Sequence, residues 1–446
     1  MKKLLIANRG EIAVRIIRTC REMGIKTVAV HSEADANSLH VKMADESVCV
    51  GPARATQSYL NMVNLLSACE VSGADAVHPG YGFLSERSEF AEIVSKCGLT
   101  FVGPTAESMR QMGSKVSARA VAEKCGVPLL RGTGVLADVA DAKKAAKEIG
   151  YPVLIKASNG GGGRGMRVVQ NANEIEQTFF SARSESQTAF GSPDVFIEKY
   201  IARPRHIEIQ ILADNHGNVV FLGERECSLQ RRHQKIIEEA LSPVMTADLR
   251  KRMGDAACNL ARTVSYRGLG TVEFLVDGDM KFYFMEMNTR IQVEHPVTEE
   301  VTGLDLVREQ IRVARGEKLS FTQEEIKFRG HSIECRINAE DPTTFVPCPG
   351  TIETFFAPGG RRVRMDSFIY QGYKVPPFYD SMISKLITYG DTREEALITM
   401  KRALREFHIE GIKTNIPLLM RILEHRDFET ANFYTKWIEQ DLLASK

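Results

Sequence analysis

The sequence predicts an α/β protein, α+β when taken as a whole, that is divided into three domains. Short apolar runs alternate with amphipathic stretches at helical spacing up to about residue 113, whereas two-residue alternation and turn residues dominate the middle of the chain. The last part opens with a strand pattern and closes with helical ones. At roughly 150 residues per domain, the length of 446 residues also indicates about three domains.

Residues 1–113 are expected to form a doubly wound domain, in which helices cover both faces of a parallel sheet. Residues 11–23 and 59–71 carry apolar side chains at helical spacing. The first strand-to-helix turn, at residues 7–11, lacks the three spaced glycines that let a pyrophosphate approach, so we expect no dinucleotide site there. The predicted strands are residues 4–7, 27–30, 48–50, 76–77 and 99–102.

Residues 114–329 are expected to form a second domain of antiparallel strands, and residues 330–446 an α+β domain. Residues 205–212 alternate strictly and a turn at 215–218 follows them, which predicts a hairpin with a strand at 219–223. Residues 129–201 hold their own strand, glycine loop, helix and strand, which indicates a small inserted lid. The other predicted elements are strands at 271–276, 282–288 and 331–337 and helices at 393–407 and 414–424.

Charge balance and cysteine usage limit the classes of function. The chain has 58 Lys plus Arg and 57 Asp plus Glu, so it lacks the broad basic field of non-specific nucleic-acid binders, and we expect no nucleic-acid partner. No apolar run approaches the roughly 18 residues of a membrane span, and no signal-peptide pattern is present. The nine cysteines are scattered without a Cys-x-x-Cys pair, which favours a reduced, cytoplasmic protein without structural zinc.

The segment from Lys156 to Met166 is the sharpest local signal. Glycines follow a predicted strand here, and a backbone without Cβ atoms can wrap closely round phosphate beside the charge of Lys156. A Walker A loop has its lysine after the glycines, so this segment is a different phosphate loop. The alternative is a flexible glycine linker, which a position between two strands disfavours.

Polar residues occupy alternate positions over residues 286–294. If the backbone stays extended there, the residues on one face are Glu286, Asn288, Arg290, Gln292 and Glu294. A short turn would place Glu273 opposite Glu286, within a residue or so. Two carboxylates and an amide oxygen suit Mg²⁺, which shares its other positions with phosphates and water. The alternative is a half-exposed strand with a polar outer face.

A third cluster is the basic run at residues 230–235. Beside the acidic hairpin it is suited to bind the outer phosphates of a nucleotide or a small anion such as bicarbonate. In isolation, such a run is more often a solvated basic loop.

Together these segments resemble the motifs of biotin carboxylase, an ATP-grasp enzyme, in the same order and at similar spacing. The matching segments are residues 156–166, 224–239, 287–299 and 334–342, with 6–13 and 78–86 in the first domain. The resemblance covers essentially the whole chain. It implies a preATP-grasp domain at 1–113, an ATP-grasp domain with a hinged lid at 114–329, and a biotin carboxylase C-terminal domain at 330–446.

The resemblance also implies a reaction, in which ATP phosphorylates bicarbonate to carboxyphosphate, which yields CO₂ beside a deprotonated biotin. It implies that Glu294 removes the bicarbonate proton and that Arg336 stabilises the biotin ureido oxygen. The implied bicarbonate contacts are Lys235, Arg290, Gln292 and the backbone of Val293. The implied ligands of two Mg²⁺ (or Mn²⁺) ions are Glu273, Glu286 and Asn288. The implied ATP contacts are Lys115, Lys156, Gly162, Gly163, Glu198, Lys199, Tyr200, Ile201, His206, Gln230, His233, Glu273 and Glu286.

The expected partners also follow from the resemblance. The sequence has no Ala-Met-Lys-Met biotin-attachment motif, so we expect biotin on a separate biotin carboxyl carrier protein and transfer by a separate carboxyltransferase. The acceptor stays open between acetyl-CoA, which would serve fatty acid biosynthesis, another acyl-CoA, pyruvate and 2-oxoglutarate. Residues 432–437 look more like those of carboxylases of 2-oxo acids. Family analogy alone implies a homodimer through the helix around Arg15 and Glu22.

Two other functions stay open. A different ATP-grasp ligase that joins a carboxylate to an amine would also use an acyl phosphate, but residues 290–294 and Arg336 disfavour it. A catalytically silent nucleotide-binding scaffold is disfavoured because the candidate residues are of chemically competent types.

Overall fold

The computed structural model describes residues 1–158 and 166–444. The N-terminal strands are β1 (Lys3–Ile6), β2 (Lys26–His31), β3 (Glu46–Cys49), β4 (Ala76–His78) and β5 (Thr100–Phe101). The helices around them are α1 (Gly10–Glu22), α2 (Leu39–Met43), α3 (Met62–Ser72), α4 (Ser88–Lys96) and α5 (Ala106–Gly113). The strands form a parallel sheet in the order β3-β2-β1-β4-β5, which confirms the doubly wound prediction. Helix α3 begins later than predicted because Asn61 caps it by accepting a hydrogen bond from the backbone of Asn64.

The lid contains a small sheet of its own. The elements from the end of α5 to the end of the lid are α6 (Lys115–Lys124), α7 (Val139–Ile149), β6 (Val153–Ala157), β7 (Met166–Val169), α8 (Ile175–Phe190) and β8 (Val195–Lys199). The three strands pair antiparallel in the order β7-β6-β8. Val153, Ile155 and Ile197 pack with Phe179 into a core separate from that of the main sheet. The predicted strand, helix and strand are present as β6, α8 and β8, whereas the glycines of the predicted loop lie outside the described residues.

An eight-stranded sheet forms the centre of the molecule. The central elements are β9 (Arg205–Ala213), β10 (Val219–Arg231), β11 (Gln234–Ala240), α9 (Ala247–Thr263), β12 (Gly268–Val276), β13 (Phe282–Asn288), α10 (His295–Thr302) and α11 (Leu306–Ala314). The elements after them are β14 (His331–Asn338), β15 (Gly350–Thr351), β16 (Thr354–Phe356), β17 (Val363–Ser367), β18 (Lys374–Val375), β19 (Met382–Gly390), α12 (Arg393–Glu406), β20 (His408–Glu410), α13 (Ile416–Leu423) and α14 (Arg426–Glu429). The strand order is β13-β12-β9-β10-β11-β14-β19-β17. Because β11 pairs with β14, the sheet continues across the predicted boundary at residues 329 and 330.

The backbone of residues 286–294 is extended only as far as Asn288, and the prediction is wrong for the residues after it. Strand β13 ends at Asn288, and helix α10 follows with Glu294 at its N-cap position and a proline in its first turn. The backbone N–H of Thr289 donates to Glu86 Oε1 at 3.1 Å instead of continuing the ladder. The polar residues therefore meet in one cleft through a bent loop, and not by lying on one face of a strand.

The expected role of Arg15 in a dimer does not fit its surroundings. Its guanidinium is buried and lies 2.7 Å from both Glu299 and Asp305 of the same chain. Glu22 pairs with Arg308 of the same chain at 2.7 Å, although its side chain stays largely exposed. Arg15 therefore fastens α1 to the helices α10 and α11.

Among the described residues, no helix combines the length and the apolar character that a membrane crossing requires.

Candidate active site

A cleft of about 800 Å³ lies where the three predicted domains meet. Its walls come from the start of α1, the loop at residues 81–83, the strands of the lid, and one face of the large sheet, including β14. The predicted site residues that line it are Lys156, Glu198, His206, Gln230, His233, Lys235, Glu273, Glu286, Asn288, Arg290, Gln292, Val293, Glu294 and Arg336. The fold thus brings most of the predicted set together in one place.

The β12–β13 hairpin supplies the acidic part of the cleft. Glu273 lies directly across from Glu286, as the sequence predicted. Asn288 donates from Nδ2 to Glu273 Oε1 at 2.8 Å, and its Oδ1 accepts from Arg290 Nη2 at 3.0 Å. Burial alone would raise the pKa of Glu273, but Lys235 and His206 lower it well below its usual value. An ionised carboxylate, a second carboxylate and an amide oxygen on one hairpin form a donor set that fits Mg²⁺.

The β10–β11 hairpin directs Lys235 into the cleft. Arg232 and His233 form its two-residue turn with φ values of 49° and 65°, and Gln230 faces Lys235 across the strands. The solvated-loop alternative therefore fits only the exposed turn, since the Lys235 side chain is only 13% exposed.

The ammonium group of Lys235 is the centre of the charge network in the cleft. Its Nζ atom donates to Glu208 at 2.7 Å, Glu273 at 3.1 Å, Gln292 at 3.2 Å and Glu294 at 2.6 Å. Burial alone would lower the pKa of Lys235, but Cys227 and the surrounding carboxylates raise it well above its usual value. Lys235 is therefore a fixed positive charge at neutral pH.

Glu294 joins Lys235 to Arg336. Its Oε1 accepts from Lys235, and its Oε2 accepts from Arg336 Nη2 at 3.0 Å. Burial alone would raise the pKa of Glu294, but Lys235 and Arg336 lower it well below its usual value. Glu294 is thus an ionised carboxylate that is buried between two cations.

Arg290 is held at the rim of the cleft by the first domain. Its Nε donates to Glu86 Oε2 at 2.9 Å, while Nη2 donates to Asn288. The same Glu86 carboxylate accepts from the backbone of Thr289, so one side chain fixes both the loop and the guanidinium.

Polar contacts also tie the lid side of the cleft together. Lys156 Nζ lies 2.5 Å from Glu198 Oε2, and the other oxygen of Glu198 accepts from Arg119. His206 pairs with Gln230 through Nδ1 at 2.8 Å. The apolar lining nearby consists of Leu130, Met166, Phe196, Leu275 and Phe284. An apolar slot with a few polar groups at its edge suits a nucleotide base.

Some predicted contacts are not placed in the cleft. Lys199 donates from Nζ to the carbonyl oxygens of Gly150 and Tyr151 at 2.8 and 3.1 Å. In the described part of the chain, Lys199, Tyr200 and Ile201 do not line the cleft. Gly162 and Gly163 lie outside the described residues, as does the side chain of Lys115.

Sequence reasoning missed several charged residues around the cleft. Glu208 contacts Lys235, and the alternation of isoleucines in β9 places it on the opposite, polar face, which was a usable signal. Lys385 donates to the carbonyl of Val293 at 2.7 Å, and Glu238 contacts Arg336. For these two residues the sequence carries no comparable pattern, because the strand pairings that bring them here are long-range.

Comparisons with known proteins agree with the geometry of the cleft. Family models match at residues 1–109 (biotin carboxylase, N-terminal domain), 114–322 (carbamoyl-phosphate synthase L chain, ATP binding domain) and 334–440 (biotin carboxylase C-terminal domain). Over 442 residues, 98% of each chain, this chain is 56% identical to biotin carboxylase 1 of Bacillus subtilis. The chain belongs to the biotin carboxylase family.

Solved structures of biotin carboxylases have the same fold. The Campylobacter jejuni biotin carboxylase, in complex with beta-gamma-ATP, is 50% identical with a TM-score of 0.95 and 98% coverage of both chains. The biotin carboxylase domain of the Hydrogenobacter thermophilus 2-oxoglutarate carboxylase is 48% identical with a TM-score of 0.93, covering 98% of this chain and 97% of that one. That structure is a domain dimer in complex with magnesium ADP, ADP and bicarbonate.

Proposed function

We propose that this biotin carboxylase uses ATP and bicarbonate to carboxylate biotin that is attached to a separate carrier protein. The observation that carries the proposal is an unbroken line of side chains, in which Glu273 contacts Lys235 at 3.1 Å, Lys235 contacts Glu294 at 2.6 Å, and Glu294 contacts Arg336 at 3.0 Å. In this order, the side chains offer a carboxylate suited to a metal ion, a cation suited to a small anion, a base for a proton, and a second cation. Reactants held along this line would gain from proximity and orientation.

The bicarbonate step takes place at Lys235 and Glu294, in the middle of this series of side chains. Lys235 and Arg290 hold the bicarbonate anion between two positive charges, while Glu294 lies within reach of its hydroxyl. Glu273, Glu286 and Asn288 would hold Mg²⁺, which would neutralise charge on the phosphate oxygens. As a bicarbonate oxygen bonds to the γ-phosphorus, the bond from that phosphorus to ADP breaks, and Glu294 accepts the bicarbonate proton.

The biotin step takes place at Arg336, at the end of this series of side chains. Carboxyphosphate splits into CO₂ and phosphate, the released phosphate takes the proton of the biotin ureido nitrogen, and that nitrogen bonds to CO₂. Negative charge develops on the ureido oxygen as that proton leaves. Arg336 faces this charge with a guanidinium that stays protonated, which is the electrostatic stabilisation that the step requires.

The partners in this proposal are a biotin carboxyl carrier protein and a carboxyltransferase. The transferase selects the acceptor, which is acetyl-CoA, another acyl-CoA, pyruvate or 2-oxoglutarate. The likeness of residues 432–437 to carboxylases of 2-oxo acids supports the last two.

Release of ADP by the purified chain tests this function. With Mg-ATP present, we expect turnover that depends on bicarbonate and rises when free biotin is added. Turnover indifferent to both would favour an ATP-grasp ligase that joins a carboxylate to an amine. No turnover at all would favour a silent scaffold.

A further inference from the structure

Arg336 is held from two sides by carboxylates. Its Nε and Nη2 atoms both lie 2.5 Å from Glu238 Oε1, and Nη2 lies 3.0 Å from Glu294 Oε2. Glu238 is fully buried on β11, one strand away from Arg336 on β14. The reaction described above gives Glu294 a task but leaves Glu238 without one.

A second buried carboxylate lies directly opposite Glu238. The β11–β14 register pairs Glu238 with Glu334, which is also fully buried. Among the described residues, neither carboxylate oxygen of Glu334 has a hydrogen-bond partner, and the Oε2 atom of Glu238 has none either. Two charged carboxylates that face each other in a buried part of the sheet would be strongly unfavourable, so the pair is expected to retain a proton.

The contacts indicate which member of the pair carries that proton. Burial raises the pKa of Glu334 well above its usual value, and although Lys385 opposes this shift, Glu238 adds to it. Burial also raises the pKa of Glu238, to about 7, although Arg336 opposes this shift. Because Arg336 donates to Glu238 and the Glu334 oxygens have no partner among the described residues, the proton of the pair lies on Glu334, whereas Glu238 ionises near pH 7.

Other titratable or charged groups surround the pair. Those that interact with either carboxylate are Lys235 on β11, Cys227 on β10, Cys335 and Arg336 on β14, Lys385 on β19, Glu294 at the start of α10, and Tyr81. Arg336 alone of these donates a hydrogen bond to Glu238 within the described chain. The charge of Glu238 is thus coupled most directly to Arg336.

We propose that Glu238 is a positioning residue that holds Arg336 for biotin, and that a neutral Glu334 lets Glu238 keep its charge. This inference rests on the proposed function, because Arg336 acts on biotin there. When Glu294 accepts the bicarbonate proton, it loses its charge and its ionic hold on Arg336. Glu238 then remains to fix the guanidinium while the charge on the ureido oxygen develops.

The variant Glu238→Gln tests the proposal, since it keeps the shape of the side chain and removes its charge. We expect kcat for biotin carboxylation to fall at least about tenfold, while bicarbonate-dependent ADP release without biotin falls less than about threefold. We also expect the wild-type carboxylation rate to rise with pH around pH 7 as Glu238 ionises, and this rise should be absent in Glu238→Gln. Both rates would be measured from pH 6 to 9 with free biotin.

Glu239→Gln is the matched control. Glu239 is the next residue on β11, is equally buried, and holds Arg393 at 2.7 and 2.9 Å on the other face of the sheet. Loss of this buried pair should lower stability without separating the two rates or changing the pH profile. If Glu238→Gln behaves like Glu239→Gln, the positioning role is overturned. Wild-type protein without bicarbonate-dependent turnover would instead overturn the proposed function.

Two further variants keep the test decisive. Glu334→Gln mimics the neutral acid, so we expect carboxylation within about threefold of wild type, and a loss as large as that of Glu238→Gln would show that Glu334 must be charged. If Glu238→Gln is insoluble, Glu238→Asp keeps the charge but withdraws it from Arg336 by one methylene. A carboxylation rate unchanged by that withdrawal would overturn the proposal.

Discussion

At the scale of single residues, the cleft is defined by charges that are buried and paired. Lys235 is largely removed from water among Glu208, Glu273 and Glu294, an arrangement that costs desolvation energy and is weak evidence for a role in stability. Strongly shifted pKa values in a cleft point to function more often than elsewhere. Because Lys235 and Arg336 lower the pKa of Glu294, its carboxylate stays unprotonated throughout the neutral range and is available as a base.

Removing that base should stop the chemistry but not nucleotide binding. Glu294→Gln is nearly isosteric, and we expect bicarbonate-dependent ADP release to fall at least about 100-fold, the usual contribution of a general base. The affinity for ATP, measured by calorimetry, should change little, because the contacts of Glu294 within the described residues are with Lys235, Arg336 and Cys227, which lie outside the lid.

Glu239→Gln again provides the comparison, since it removes a buried glutamate outside the cleft. A rate for Glu294→Gln that matched this control would remove Glu294 from the role of base.

At the scale of elements, the loop between β13 and α10 decides how the site is assembled. The alternating polar residues of this segment predicted one extended face, and the structure bends the segment after Asn288 instead. His295 and Pro296 were a signal that a helix begins here, since proline favours the first turn of a helix. The contacts of Glu86 with Thr289 and Arg290 had no such signal, because Glu86 belongs to a different domain.

Loosening this loop should weaken the bicarbonate site. Glu86→Gln removes the charge that holds Arg290 and keeps a side chain of similar shape. Because the pair is partly exposed, we expect the KM for bicarbonate to rise about fivefold, the equivalent of about 1 kcal/mol for one hydrogen bond. Steady-state kinetics with varied bicarbonate at saturating ATP would measure this rise.

Glu89→Gln is the control for this change, because Glu89 pairs with Arg87 on the exposed surface of the same region. An unchanged KM in Glu86→Gln would mean that Arg290 is placed without help from the first domain.

At the scale of the whole molecule, the three domains share structure as well as a cleft. The large sheet continues from β11 into β14, so the C-terminal part completes the sheet of the middle part. Arg15 fastens the first helix to Glu299, and Arg364 of β17 contacts the same carboxylate at 2.8 Å. A buried charge cluster thus joins elements from all three domains behind the cleft.

The sequence predicted the local features well and the long-range ones poorly. The β12–β13 hairpin and the pairing of Glu273 with Glu286 followed from alternation and a short turn. The contact between Glu238 and Arg336 depends on pairing of β11 with β14, almost 100 residues apart, which periodicity cannot specify. Motif resemblance supplied the roles of Lys235 and Arg336, whereas their surroundings required the structure.

The most direct test of the account follows the oxygen atoms of bicarbonate. If a bicarbonate oxygen attacks the γ-phosphorus, that atom stays on phosphorus when carboxyphosphate splits. With ¹⁸O-labelled bicarbonate, Mg-ATP and free biotin, mass spectrometry of the released phosphate should therefore find one labelled oxygen per turnover. Phosphate free of the label would mean that water attacked ATP, and would contradict the alignment of Glu273, Lys235, Glu294 and Arg336 as a site for bicarbonate activation.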